Sequence, residues 1–252
     1  MIQITNLSKS YQGKTVLHSL NLTLQPGGII SVVGANGAGK STLLSLLSRL
    51  ECPDTGQVLI DGLDVQQTPT ETLATRLSIL RQDNHILSRL RVRDLVAFGR
   101  YPYCKGRLTK LDAQKVDEAL HFLDLFGLQD RFLDELSGGQ RQRAFVAMVI
   151  CQDTDYVLLD EPLNNLDMQH SVAMMQLIRR LADELNRTIL LVIHDINFAA
   201  AYSDSIVALK DGHLVCHDTP AQVMQQANLE HIFNTPVQVS HQHGHPLAVY
   251  YR

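Results

Sequence analysis

Cysteine is scarce: Cys52, Cys104, Cys151 and Cys216 are the only four in 252 residues, and no two form a CxxC pair. That spacing excludes a disulfide framework and a cysteine zinc site, and it suits buried or incidental thiols in a reducing compartment. Long apolar runs are missing as well. The longest, Thr188-Ile189-Leu190-Leu191-Val192-Ile193, suits a buried strand and falls far short of the ~20 residues that cross a bilayer. Met1-Ile2-Gln3-Ile4-Thr5-Asn6 has no basic region followed by an apolar core, so no signal peptide is visible. Positive charge is not in excess. With 22 Lys and Arg against 26 Asp and Glu, the net charge of −4 offers no electrostatic case for bulk nucleic-acid binding. Neither an internal repeat nor a low-complexity linker divides the chain. The expectation is a soluble, cytoplasmic protein, and a hydrophobic share of 45% is ample for one large α/β core.

Within that frame the pattern changes character along the chain. Residues 1–28 alternate apolar and polar, most clearly at Leu20-Asn21-Leu22-Thr23-Leu24-Gln25, and read as a half-buried strand closed by Pro26-Gly27-Gly28. Ile29-Ile30-Ser31-Val32-Val33 reads as a buried strand, and residues 42–50 as a leucine-rich helix. Residues 56–65 resemble a strand, a turn at Asp61-Gly62 and a short strand. From about residue 83 to 152 the pattern is helical, with candidates at 92–100, 111–126 and 137–151 broken by Tyr101-Pro102-Tyr103 and Gly127. Buried strands return at 156–159 and 188–193, so the helical block is inserted into an α/β domain. A hairpin at 205–217 turns at Lys210-Asp211-Gly212, and a short helix is expected near 221–227.

The strongest motif is Gly34-Ala35-Asn36-Gly37-Ala38-Gly39-Lys40-Ser41, a P-loop placed between an apolar strand and a helix. Backbone N–H groups of residues 37–41 would surround the β- and γ-phosphates at a positive helix end. Lys40 would neutralise phosphate charge and the Ser41 hydroxyl would bind Mg²⁺. Tyr156-Val157-Leu158-Leu159-Asp160-Glu161 ends a buried strand in two acids. Asp160 suits the Mg²⁺ side of such a site, and Glu161, one residue further, suits polarising or deprotonating water. His194 ends a third apolar strand, and functional groups of parallel sheets gather at carboxyl ends of strands. Gln82, after Leu77-Ser78-Ile79-Leu80-Arg81, could reach Mg²⁺ or water through its amide, or be an ordinary surface residue.

Leu136-Ser137-Gly138-Gly139-Gln140 is a second glycine-rich helix start. Its S-x-x-Q form is that of a capping box, which needs no ligand. Two glycines nevertheless weaken a helix by ~1 kcal/mol each, and make sense where a backbone must approach a phosphate. Both readings stand on the residues alone.

The ordered set of P-loop, Gln82, Leu136-Ser137-Gly138-Gly139-Gln140, Asp160-Glu161-Pro162, Asn164-Asn165-Leu166-Asp167 and His194-Asp195 resembles the nucleotide-binding subunit of an ABC transporter, over about residues 1–215. The resemblance implies an α/β fold: a P-loop NTPase (RecA-like) core with an antiparallel β subdomain and an inserted α-helical subdomain. It implies one ATPase domain over 1–252, with about 1–82 and 156–252 forming core and β subdomain and about 83–155 the helical subdomain. It also implies a head-to-tail homodimer that binds ATP and Mg²⁺. Tyr11 would stack on adenine, and Gly34, Asn36, Gly37, Ala38, Gly39, Lys40, Ser41 and Thr42 would hold the nucleotide. Ser137, Gly138, Gly139 and Gln140 would face the partner's ATP, and Asp167, counted with the ATP-binding residues, would lie in the loop linking the two sites. Ser41, Gln82 and Asp160 would serve Mg²⁺, and Glu161, His194, Gln82 and Lys40 would carry catalysis. Asn164-Asn165 departs from the small residues that many relatives carry before the Leu-Asp pair.

Phe98-Gly99-Arg100-Tyr101-Pro102-Tyr103 with Gly106-Arg107-Leu108-Thr109, and His194-Asp195-Ile196-Asn197-Phe198-Ala199 with Tyr202-Ser203-Asp204, resemble the ferric-siderophore and cobalamin import branch, and the run from Asn164 to Met168 sharpens this toward ferric siderophores. The partners so implied are integral-membrane permease subunits and, indirectly, a substrate-binding protein, with no nucleic acid. The place implied is the cytoplasmic side of the inner membrane, peripherally bound. Residues from just after Gln82 to about Tyr103 would receive the permease's coupling helix. Cobalamin or haem import, or a soluble non-transport ATPase of the family, are the alternatives. His241-Gln242-His243-Gly244-His245 has the composition of a transition-metal tract, and equally that of exposed histidines near a chain end.

Overall fold

Residues 1–82, 89–242 and 244–251 are described by a computed structural model. Its centre is a sheet whose strands are apolar at nearly every position, as burial on both faces requires. These strands are β3 (Gly28–Val33), β6 (Leu77–Leu80), β7 (Tyr156–Asp160), β8 (Thr188–Val192) and β9 (Ser205–Lys210), with β10 (His213–Asp218) at the edge. Their order is β10-β9-β3-β8-β7-β6, parallel throughout except for β10. The β9–β10 turn at Asp211-Gly212 has positive φ at both residues (49° and 76°), as a two-residue hairpin favours.

Alternate residues of each strand feed two hydrophobic clusters. Ile30, Val32, Leu158, Leu190 and Val192 face one cluster shared with β1 (Ile2–Tyr11), β2 (Lys14–Leu24), β4 (Thr55–Ile60) and α1 (Lys40–Leu47). Ile29, Val33, Val157, Leu159 and Leu191 face the other, shared with α3 (Val92–Phe98), α5 (Lys110–Phe122), α6 (Gly138–Cys151) and α7 (Met168–Glu184). The first group of strands, with β5 (Leu63–Asp64), forms an antiparallel sheet of order β2-β1-β4-β5. The fold is thus mixed α/β with an antiparallel β subdomain and a helical subdomain. That subdomain leaves after β6 and returns into β7, two strands that lie side by side.

Several details differ from the sequence reading. Residues 1–28 hold two long strands rather than one. Register shifts between Ile4 and Leu7, and again before Lys9 and Ser10, spoil the alternation of β1. Tyr101-Pro102-Tyr103 is not a break: α4 (Tyr101–Cys104) places Pro102 in its first turn, where a missing N–H costs nothing. The expected helix near 221–227 is two helices, α9 (Pro220–Val223) and α10 (Gln226–Phe233). Helix α7 and the hairpin of β11 (Gln238–Gln242) and β12 (His245–Val249) were not foreseen. Among the described residues the remaining α-helices are α2 (Thr70–Ala74) and α8 (Ile196–Tyr202). Among the described residues, no helix is long and apolar enough to cross a membrane.

Inside the helical subdomain a buried ion pair ties three helices together. The Arg100 guanidinium donates to Asp112 at 3.0 Å and to the Cys151 carbonyl at 2.9 Å, and lies 3.9 Å from the Tyr103 ring centroid. Asp112 also closes the capping box of α5, accepting from the backbone and hydroxyl of Thr109. Those bonds, with the Arg100 charge, hold its carboxyl below the usual carboxylate range.

Candidate active site

Four neighbouring strand ends build the site. In sheet order, β3 ends at the Gly34 loop, β8 at His194, β7 at Asp160-Glu161, and β6 just before Gln82. The loop needs glycine at its entry. Gly34 has φ 147°, and a Cβ there would lie 2.1 Å from the Leu209 carbonyl oxygen. Helix α1 then starts at Gly39 with no side-chain cap, leaving first-turn N–H groups for a ligand. Of the loop residues, Asn36 and Gly37 are exposed, while Ala38 and Gly39 are buried.

Lys40 is 5% exposed and folds back across the loop, donating from Nζ to the Gly34 carbonyl at 2.9 Å and the Ala35 carbonyl at 3.0 Å. Burial pulls its pKa down, and the charges of Glu161 and Asp160 act against that. The Ser41 hydroxyl donates to Asp160 Oδ1 at 3.1 Å. Burial pushes the Asp160 pKa up, opposed by the Ser41 hydrogen bond and assisted by the Glu161 charge.

Glu161 is held in the left-handed region at φ 51°, and its N–H donates to the Val192 carbonyl at 3.2 Å. Both oxygens of its carboxylate are engaged. Oε1 lies 2.6 Å from His194 Nε2, and Oε2 accepts from Gln82 Nε2 at 2.8 Å. A cavity of about 270 Å³ opens beside Glu161 and His194, with Asn164, Asn165 and Ser171 in its wall. Tyr11 ends β1 and stands by the start of α1, its hydroxyl between the Glu51 carboxylate and Thr42. Burial first, then Glu51, raises its pKa.

Ser137, Gly138, Gly139 and Gln140 stand apart. Among the described residues, no hydrogen bond or ion pair joins them to residues 34–41, Gln82, Glu161 or His194. They form a complete capping box: Gln140 N–H donates to Ser137 Oγ at 3.3 Å and Ser137 N–H to Gln140 Oε1 at 3.0 Å. Gly138 is open, with nothing within 4 Å of where a Cβ would be, whereas at Gly139 a Cβ would lie 2.4 Å from His170 Cδ2. Asp167 caps α7, its Oδ1 accepting from His170 N–H at 2.8 Å and pairing with His170 Nδ1 at 2.7 Å.

Two neighbours of the site escaped the sequence reading. His170 touches Gly139 from 31 positions away, and no local pattern announces such a contact. Asn197, in the first turn of α8, exchanges two hydrogen bonds with the backbone of Ala248, at 2.8 and 3.1 Å, and so pins β12 beside His194. Among the described residues there is no cluster of three or more His, Cys, Asp or Glu that could hold a metal. His241 and His245 sit on β11 and β12, and His243 lies outside the described residues. The four cysteines are free, and burial pushes the Cys151 thiol up to about 12.

A family described as "ABC transporter" matches residues 17–164. The chain is 50% identical over 251 residues to the petrobactin import ATP-binding protein YclP of Bacillus subtilis (strain 168), covering 100% of each. It is 52% identical over 250 residues to the petrobactin import ATP-binding protein FatE of Bacillus anthracis, covering 99% of this chain and 100% of that one. Among solved structures it resembles the dimeric post-hydrolysis state of the ATP-binding cassette MJ0796 bound to ADP and Pi. The TM-score is 0.77 at 27% identity, covering 87% of this chain and 99% of that one.

Proposed function

The chain belongs to the ABC transporter family, and on that premise we propose that it hydrolyses ATP as a head-to-tail pair to drive uptake of a ferric siderophore. One observation carries the reading: consecutive strand ends bring the P-loop, His194, Glu161 and Gln82 to one edge, while the signature residues 137–140 stand clear of it. A second copy is then what supplies them. The dimeric cassette with ADP and Pi supports this arrangement. YclP and FatE, both named for petrobactin import, support a siderophore cargo. We assign one domain over 1–252, with about 83–155 as its helical subdomain.

The residues fit Mg²⁺ and ATP. A hard cation takes oxygen ligands, and the Ser41 hydroxyl and the Asp160 carboxylate already meet at 3.1 Å, with Gln82 as the third member of the set. When bound, the ion neutralises charge on the phosphates. Lys40 exchanges its two loop carbonyls for phosphate oxygens, and N–H groups of residues 37–41 complete the cradle. Glu161 accepts the proton of the attacking water once Gln82 or His194 releases one carboxylate oxygen, and His194 then orients water and γ-phosphate. Tyr11 offers its ring to adenine, and Asp167 reaches toward the partner's site.

The helical subdomain supplies a surface for permease subunits. Phe98, Tyr101, Tyr103, Leu108 and Leu111 are between 41% and 62% exposed, which is unusual for large apolar side chains clustered within fourteen positions of the sequence. Residues 83–88, part of the groove expected from the sequence, lie outside the described residues.

Glu161→Gln is expected to slow hydrolysis by at least ~10²-fold and to accumulate an ATP-bound dimer on size-exclusion chromatography. A monomer in saturating ATP would count against the pairing. For the cargo, cells lacking this chain should lose uptake of labelled ferric siderophore. Normal uptake with loss of cobalamin or haem uptake instead would overturn that assignment.

A further inference from the structure

Gly139 opens a helix of the inserted subdomain and His170 lies in the first turn of a helix of the core, and the two meet where a Cβ on Gly139 would stand. Resting on the proposed head-to-tail reading, we infer that His170 is a positioning residue that couples the Asp167 loop to the signature helix, so that the two segments move together.

The imidazole is fixed from one side by the loop. Asp167 Oδ1 lies 2.8 Å from the His170 N–H and 2.7 Å from its Nδ1, so one carboxylate oxygen orients both backbone and ring. These hydrogen bonds hold the Asp167 carboxyl below its ordinary range, which keeps it an acceptor for Nδ1–H. The opposite edge of the ring lies against α6. A Cβ on Gly139 would stand 2.4 Å from His170 Cδ2, 3.0 Å from Cγ and 3.1 Å from Nε2. No methyl group fits without displacing the ring, which is half-exposed and is held in place by the Asp167 oxygen on its Nδ1. A shift of Asp167 therefore carries the ring with it, and the ring carries the first turn of α6, where Ser137 and Gln140 sit.

This separates two adjacent glycines by cause. Gly138 has open space where a side chain would be and remains available to an approaching phosphate. Gly139 is glycine because a histidine of its own chain occupies the place.

A double-mutant cycle tests the coupling. With His170 present, Gly139→Ala should lower the melting temperature by several degrees; in a His170→Ala background the same change should shift it by no more than about one degree. Equal falls in melting temperature in both backgrounds would mean that the His170 ring does not govern the place beside Gly139, overturning the proposal. His170→Ala by itself should lower kcat and the Hill coefficient for ATP while leaving KM and melting temperature unchanged; unaltered kcat and cooperativity would also overturn it. The melting-temperature arm needs no turnover, so an inactive wild-type chain would count against the proposed ATPase function while the contact is still judged.

Discussion

Helix α1 begins at Gly39 without a side chain to cap it, whereas α6 begins at Ser137 with a capping box closed on both sides. Both starts are rich in glycine and both are assigned to phosphate, yet they wait for it differently. At α1 the N–H groups without a side-chain cap are the proposed phosphate site, and φ is positive at Gly34, Gly37 and Gly39. At α6 the N–H groups of Ser137 and Gln140 are already served by each other's side chains, with no positive φ at Gly138 or Gly139. On the proposed reading the first offers its backbone N–H groups once Lys40 leaves the Gly34 and Ala35 carbonyls. The second has Ser137 and Gln140 bonded to each other, and they exchange those hydrogen bonds for a partner's nucleotide. Glycine therefore means backbone conformation in the first and side-chain clearance in the second.

What supports each segment also differs, and the largest expected effect lies there. Arg100→Ala leaves Asp112 buried without its charge partner and should destabilise the helical subdomain by ~3–5 kcal/mol. Urea unfolding followed beside ATP binding would sharpen the contrast: α6 should be loosened while P-loop affinity survives. Next comes the P-loop itself. Gly34→Ala drives a methyl group into the Leu209 carbonyl and should weaken ATP binding on the order of 10²-fold, read by titration with a fluorescent analogue. Comparable affinity after that change would break the distinction between the two kinds of glycine.

A smaller effect separates the caps. Ser137→Ala removes the cap of α6 and should cost ~1 kcal/mol, seen as a modest drop in melting temperature. The smallest is a gain. Burial raises the Asp160 pKa above its unfolded value, so its charged form costs stability above that unfolded value, and the cost disappears as pH falls below it. Asp160→Asn, which can still accept from Ser41, should raise the melting temperature at about pH 8, leave it unchanged near about pH 3, and abolish Mg²⁺-dependent hydrolysis. An unchanged or lowered value at the higher pH would show that the Lys40 charge more than repays the burial of the carboxylate.

The features legible in the sequence are the ones written locally. The P-loop, the strand ends at Asp160 and His194, and the S-x-x-Q cap each need only a few neighbouring residues, and the structure places them at adjacent strand ends or at a helix start. Strand β1 was obscured because its bulges shift the buried positions out of alternation. Pro102 read as a break because proline ends a helix from within but begins one at the first turn. The hairpin β11–β12 has weak strand residues and is held by Asn197, about fifty positions away. His170 against Gly139 and Arg100 against Asp112 are contacts between elements, and no window of sequence contains the reason for either.

In this structure the Glu161 carboxylate is claimed twice, by Gln82 on one oxygen and His194 on the other. On the proposed reading a solitary subunit that captures ATP is then an engine with its clutch disengaged: the group assigned to start combustion has its hands full. On that reading, freeing one oxygen of Glu161 is the step that lets turnover begin.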